Sequence, residues 1–140
     1  MPSLYLVLAD AILISHALIV LFNVAGLPLI WFGRLFQWRF VRNFHFRTVH
    51  LLLIGYIALQ AMLGQTCPLT NWENELRLKA GTDAQYAGSF VAHWVQQLLF
   101  YNADERIFTV AYTLFFVLVL ATVFWVRPDP PRWWRMHRKR

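Results

Sequence analysis

The chain has 140 residues, of which 59% are hydrophobic, 17% are aromatic and only 14% are charged. A water-soluble fold of this size cannot hide so much apolar surface, so the composition excludes an ordinary soluble domain and indicates an integral membrane protein. The length predicts one domain over residues 1–140. The net charge of +6 is typical of nucleic-acid-binding proteins, but the basic residues flank apolar segments. We therefore expect no nucleic acid partner.

Three apolar segments have about the 20 residues that cross a bilayer. They lie at about 4–27, 44–64 and 107–126. Gly26 and Pro28 are expected to kink or end the first segment. No basic region precedes that segment, and it is longer than the apolar part of a signal peptide, which predicts a retained span.

A further segment, at about 83–101, is amphipathic. At the angular spacing of a helix, its polar side chains share one side, whereas Val91, Val95 and Leu98 face away. The polar side carries Tyr86, Ser89, His93, Gln96 and Gln97. This pattern predicts an interfacial or re-entrant helix, and a fourth spanning helix is the alternative.

The distribution of charge favours three spans over four. Residues 33–47 contain four arginines and no acid, and six basic residues lie in the tail 127–140. With three spans, both basic regions face the cytoplasm, as the positive-inside tendency favours. We therefore expect a multi-pass protein of the bacterial inner membrane, with the N-terminus outside and the C-terminus cytoplasmic. The basic tail is expected to bind anionic lipids.

A short polar stretch, 67–81, separates the second and third of these four segments. Thr70 and Glu73 have the spacing of a capping box. Glu73 with Arg77, and Glu75 with Lys79, are ion pairs of favourable order along a helix. Gly81 is placed to end the helix in the left-handed conformation. The stretch predicts a short helix on the outer surface, whose charges have structural roles.

Four passages of the sequence resemble a small bacterial membrane family, domain of unknown function 2784. They are "ADAILISHALIVLFNVAG", "CPLTNWENELR", "YAGSFVAHW" and the arginine-rich tail. The resemblance covers most of the chain and implies a membrane location, without implying a reaction. It draws attention to His16 and His93, although Trp94 and Tyr101-Asn102 depart from the pattern that the family favours.

His16 and His93 are the main candidates for a binding site, because polar side chains inside a bilayer are costly. Two imidazoles from different helices can hold a b-type haem. Glu73 or Cys67 added to them would make a metal site of mixed ligands. The alternative is that both histidines form hydrogen bonds within the bundle. The residues expected to support or close the site are Asp10, Asn23, Thr70, Glu73, Arg77 and Tyr86.

The sequence thus predicts an all-α membrane fold: three transmembrane helices, an amphipathic interfacial, re-entrant or fourth spanning helix, and a short capped surface helix. The function expected first is that of a non-catalytic accessory subunit that contacts other membrane subunits. The second is a haem or metal protein with a role in electron transfer or assembly. A small-molecule or lipid transporter is third, because no inverted repeat is visible.

Overall fold

The computed structural model describes residues 1–81, 90–99 and 104–137, and in these ranges the chain is helical with no strand. The helices are α1 (Pro2–Leu35), α2 (Phe44–Met62), α3 (Pro68–Lys79), α4 (Phe90–Leu99), α5 (Glu105–Trp125) and α6 (Arg132–His137). A 3₁₀ helix, Arg39–Arg42, lies between α1 and α2. The predicted all-α class is confirmed. The predicted amphipathic segment at 83–101 is described only over α4, and Tyr86 lies outside the described residues.

The first helix is longer than predicted. It continues through Pro28 to Leu35 instead of ending near Leu27. A proline inside a helix removes one backbone hydrogen bond, but a break in the helix would expose several unpaired backbone groups. Because the flanking residues are apolar, continuing the helix is the less costly choice.

Sharp turns end α1 and α2. After α1, Gln37 has φ of 57°, and the Trp38 amide donates to the Gly33 carbonyl at 2.7 Å. After α2, Gly64 has φ of 65°. Both ends have the hydrogen-bond pattern of a Schellman motif, which normally uses glycine at the left-handed position. Gln37 therefore occupies a conformation that costs a non-glycine residue about 1 kcal/mol.

The helices form two pairs that meet at one end of the molecule. α1 packs along α3, and α2 packs along α5. Where the pairs meet, Gly26 lies against His50, and a Cβ at Gly26 would be only 2.6 Å from the His50 Nε2. Leu27, Ile54 and Val119 form a buried cluster. We call this the closed end, which includes the 3₁₀ helix, and we call the opposite end, beside α3, the open end.

Two helices in the described ranges are long and apolar enough to cross a membrane. They are α1, with a mean hydropathy of 2.3, and α5, with 2.5. Only 11% of the residues in each apolar window are buried, whereas the core helix of a soluble protein is mostly buried. α2, which was predicted to be a span, is not apolar enough to be counted with them, because this helix contains Arg47, His50 and Gln60.

Many buried side chains of the described residues are polar or charged, and many exposed ones are large and apolar. The described side chains that are buried include His16, Asn23, Arg47, His50 and Glu73, whereas large apolar side chains cover the outside. Phe124 of α5, for example, is 75% exposed. An outer surface of this kind suits contact with lipid, and it supports the membrane location that the composition indicates.

Candidate functional site

A cavity of about 490 Å³ lies between α1, α2, α4 and α5 towards the open end. Its walls are mostly apolar and include Val20, Ile57, Phe108 and Phe115. A few polar residues converge on it: His16, Asn23, Gln60, Thr109 and Tyr112. A pocket of 300–1,000 Å³ with apolar walls and a small number of polar groups is typical of a site for a small molecule.

His16 is the buried titratable residue of this cavity. It is 6% exposed, and its ring stacks on Phe90 of α4 with 4.2 Å between the ring centroids. Its Nδ1 is buried and has no hydrogen-bond partner among residues 1–81, 90–99 and 104–137. A buried nitrogen without a partner costs free energy, and a bound polar group can recover that cost.

Asn23 and Gln60 are the next polar residues along the cavity. The Asn23 amide nitrogen donates to the Ile19 carbonyl at 2.9 Å, and its Oδ1 is buried without a hydrogen-bond partner in the part of the chain that the structure describes. The Gln60 amide nitrogen donates to the Tyr56 hydroxyl at 3.0 Å. The cavity therefore presents an unpaired nitrogen at His16 and an unpaired acceptor at Asn23, about two helical turns apart on one face of α1.

The structure places Phe90, rather than His93, on the ring of His16. His93 follows on the same helix and makes an edge contact with Trp94, with 5.8 Å between the ring centroids. It is not among the described residues that line the cavity. In residues 1–81, 90–99 and 104–137, no group of three or more His, Cys, Asp or Glu side chains is arranged to hold a metal ion. Ligation by His16 and His93 stays a prediction.

An ion-pair network holds α3 against α1 beside the cavity. The Arg77 Nε donates to the Glu73 Oε1 at 3.0 Å, and its Nη2 donates to the Asp10 Oδ1 at 3.1 Å. Burial alone would lower the pKa of Arg77, but the hydrogen bonds and negative charges of Glu73 and Asp10 outweigh it and raise this pKa. Glu73 itself is 1% exposed and lies within electrostatic range of His16. The predicted ion pair of Glu73 with Arg77 is therefore present, and Arg77 also contacts Asp10.

The predicted capping box is wrong. α3 begins at Pro68 with Cys67 as its N-cap residue, and the Thr70 Oγ1 is buried with no hydrogen-bond partner in the described ranges. Because proline is favoured in the first turn of a helix, the N-cap lies at Cys67, three residues before the predicted cap at Thr70. Cys67 and the two residues before it line the cavity. The predicted left-handed ending is present, since Gly81 has φ of 74°.

Two buried residues of α2 form the polar centre of the closed end, a role that sequence reasoning missed. The Arg47 Nη2 donates to the Thr122 Oγ1 at 3.0 Å and to the Val126 carbonyl at 3.3 Å. The His50 Nε2 lies 2.9 Å from the Asn23 carbonyl. The available signal was that Arg47 and His50 are three residues apart on one helical face. Asn23 lines the cavity, and its backbone carbonyl contacts His50 of the closed end.

Comparison with known proteins gives one match. No curated protein and no solved structure matches the chain. The family described as Protein of Unknown function (DUF2784) matches over residues 6–128, which include both histidines of interest, all of α3 and all of α5. The chain therefore belongs to the DUF2784 family.

Proposed function

We propose that this protein is a non-catalytic, multi-pass protein of the bacterial inner membrane that binds an apolar molecule with a small polar head. The observation that carries this proposal is the mostly apolar cavity beside His16. Its polar residues include a nitrogen of His16 and an oxygen of Asn23 that have no hydrogen-bond partner among the described residues. Apolar walls suit a hydrocarbon or isoprenoid chain, and the unpaired groups suit a carbonyl or hydroxyl head.

The proposed topology has three crossings, by α1, α2 and α5. α2 is 19 residues long and is shielded from lipid on its polar side by α5, whose Thr122 accepts from Arg47. The positive-inside tendency supports a cytoplasmic closed end, where Arg34, Arg39 and Arg42 lie, and an outer position for α3. Cysteine labelling tests this topology: a cysteine near residue 102 that reacts only from the cytoplasmic side would overturn it.

The cavity can be tested by filling it. Ala61 lines the cavity, whereas Ala121 is an exposed alanine of α5 outside the described lining. Apolar molecules are extracted from washed, detergent-purified protein and quantified by mass spectrometry. We expect Ala61→Phe to reduce the retained molecule at least about tenfold, a change of roughly 1.4 kcal/mol. Ala121→Phe should retain it. Equal retention by both variants would overturn the proposal.

The polar head can be tested at His16. A phenylalanine at this position preserves the ring stacked on Phe90 but removes the unpaired nitrogen. We expect His16→Phe to weaken binding by about fivefold to tenfold, the usual value of one hydrogen bond. Unchanged binding would show that the ligand is recognised by its apolar part alone.

Haem or metal binding through His16 and His93 is the second candidate function, favoured by the buried, unpaired Nδ1 of His16. Absorption spectra of the oxidised and reduced protein, with His16→Ala and His93→Ala alongside, distinguish it from the first. A Soret band that disappears in both variants would establish haem and overturn the apolar ligand. A featureless spectrum from protein expressed with ample haem would remove this candidate.

An accessory role in a larger membrane complex is compatible with ligand binding, and the exposed apolar faces of α1 and α5 favour it. Native electrophoresis of gently solubilised membranes tests it. An accessory subunit should migrate with a larger complex. Migration as a free small protein would contradict this role.

A further inference from the structure

Another pocket lies at the closed end, between the C-terminal ends of α1 and α5. It has a volume of about 710 Å³. We call it the basic pocket because its lining includes four arginines and one carboxylate. These residues are Arg34, Arg39, Arg42, Arg127 and Asp129. The excess of positive charge in one concave site needs compensation from outside the protein.

Two of the arginines already have partners. The Arg34 Nη1 donates to the Trp125 carbonyl at 3.0 Å, and its guanidinium lies 5.1 Å from the centre of the Trp125 ring. Trp125 is the last residue of α5, where the helix dipole attracts a cation. The Arg42 Nη2 is 2.6 Å from the Asp129 Oδ1. These contacts hold the walls of the basic pocket together.

Arg39 and Arg127 have no carboxylate partner in the part of the chain that the structure describes. Both are exposed and both line the basic pocket. Two cations that share a pocket repel each other, and an anion between them would remove that repulsion. The planar guanidinium of arginine fits phosphate oxygens particularly well, because it donates two parallel hydrogen bonds.

The rim of the basic pocket is aromatic. Trp38 is 44% exposed and Trp125 is 60% exposed, and both line the pocket. Tryptophans at the end of a membrane helix lie at the level of the lipid headgroups. A site at that level meets lipid phosphate more readily than free phosphate, because the acyl chains can lie along the apolar faces of α1 and α5.

We propose that the basic pocket binds the phosphate group of an anionic phospholipid through Arg39 and Arg127. This site is separate from the cavity at the open end, and neither proposal depends on the other. The proposal differs from the general attraction of anionic lipids expected of the basic tail, because it assigns binding to a formed pocket between two helix ends.

Two matched double variants distinguish binding in the basic pocket from binding by α6. Arg39→Gln with Arg127→Gln removes two charges from the pocket, whereas Arg132→Gln with Arg135→Gln removes two charges from α6. The full chain in detergent is titrated with phosphatidylglycerol, and the bound lipid is counted by native mass spectrometry. Phosphatidylcholine is the neutral reference. Thermal unfolding of each variant checks that the fold is retained.

We expect the pocket variant to lose selectivity for phosphatidylglycerol by at least about tenfold, since one hydrogen bond to a charged group already contributes about that much. The α6 variant should change selectivity by less than about twofold, because Arg132 and Arg135 do not line the basic pocket and lipids counted in detergent present no extended anionic surface to them. Equal losses in both variants would overturn the proposal in favour of diffuse surface charge. Displacement of the lipid by millimolar inorganic phosphate would assign the site to free phosphate and overturn the lipid assignment.

Discussion

Among the described residues, each end of the helix bundle buries one charged side chain, but the two ends compensate the charge differently. At the open end, Glu73 is 1% exposed and forms an ion pair with Arg77, 3.0 Å between Nε and Oε1. At the closed end, Arg47 is 3% exposed and donates only to neutral oxygens of Thr122 and Val126 among the described residues. The open end therefore depends on a counter-ion from a surface helix. The closed end depends on the negative C-terminal end of α5.

The two ends also differ in how closely α1 and α2 pack. At the closed end, Gly26 allows α1 to approach α2 so closely that no space remains. At the open end, the same two helices separate, and the cavity lies between His16 and Ile57. The two ends therefore differ in packing: the helices are in close contact at the closed end, and a cavity separates them at the open end.

The largest effect is expected at the ion pair of the open end. Arg77→Ala would leave the buried carboxylate of Glu73 without this counter-ion, and losing one partner of a buried pair costs about 3–5 kcal/mol in free energy of unfolding. Unfolding in mixed micelles with increasing SDS measures the change. Lys79→Ala is the matched control, because its ion pair with Glu75 is fully exposed. Similar losses in the two variants would show that burial of Glu73 is not important.

A smaller effect is expected from packing at the closed end. Gly26→Ala places a methyl group against the His50 ring, and overpacking of this kind costs about 1–3 kcal/mol. Gly55→Ala is the control, because its nearest neighbour is the edge of the Phe116 ring at 3.1 Å, which can shift. The same SDS titration compares them. If Gly26→Ala is as stable as Gly55→Ala, α1 and α2 are less tightly joined than the structure shows.

A still smaller effect is expected when the buried charge of the closed end is removed. Arg47→Met keeps a side chain of similar length. The loss of the guanidinium charge leaves no opposite charge unpaired in the described residues. Replacement of a buried charge by an apolar residue is often close to neutral, so we expect a change of less than about 1 kcal/mol. A loss as large as that of Arg77→Ala would mean that Arg47 has an anionic partner. The difference in stability loss between Arg77→Ala and Arg47→Met therefore tests how the buried charge is compensated at each end.

Local chemistry explains what the sequence predicted correctly. The ion pairs of α3 and the ending at Gly81 depend on residues within one or two turns, and both are present. The contact of Arg77 with Asp10 joins two helices, and the sequence indicated both residues only as supports of the site. The N-cap was placed wrongly at Thr70 because Pro68 offered an equally local start, and the sequence pattern favoured the polar residue.

Tertiary contacts explain what the sequence could not predict. Helical periodicity grouped His93 in a polar stripe, and the haem hypothesis required that stripe to face His16, but Phe90, one turn earlier, stacks on His16. The choice between neighbouring residues on one face depends on how far the helix slides along its partner, which periodicity does not define. The burial of Arg47 was missed for a similar reason. An arginine beside an apolar segment indicates a membrane boundary, and only the position of Thr122 on α5 shows that the side chain turns inward.

The smallest effect concerns the exposed ion pair of α3, and it depends on pH. A hydrogen bond from Lys79, and then its positive charge, hold the pKa of Glu75 below its ordinary value. A carboxyl whose folded pKa is lowered stabilises the protein above its unfolded pKa, about 4.3, and loses this contribution as the pH falls through the lower folded value. We therefore expect the difference in melting temperature between the wild type and Glu75→Gln to be small near neutral pH and to vanish once the pH falls below the lowered pKa of Glu75. Because both side chains are fully exposed, salt should reduce the difference. A difference that persists in acid would have to come from helix propensity instead of the ion pair, and the exposed network of α3 would then contribute nothing to the open end.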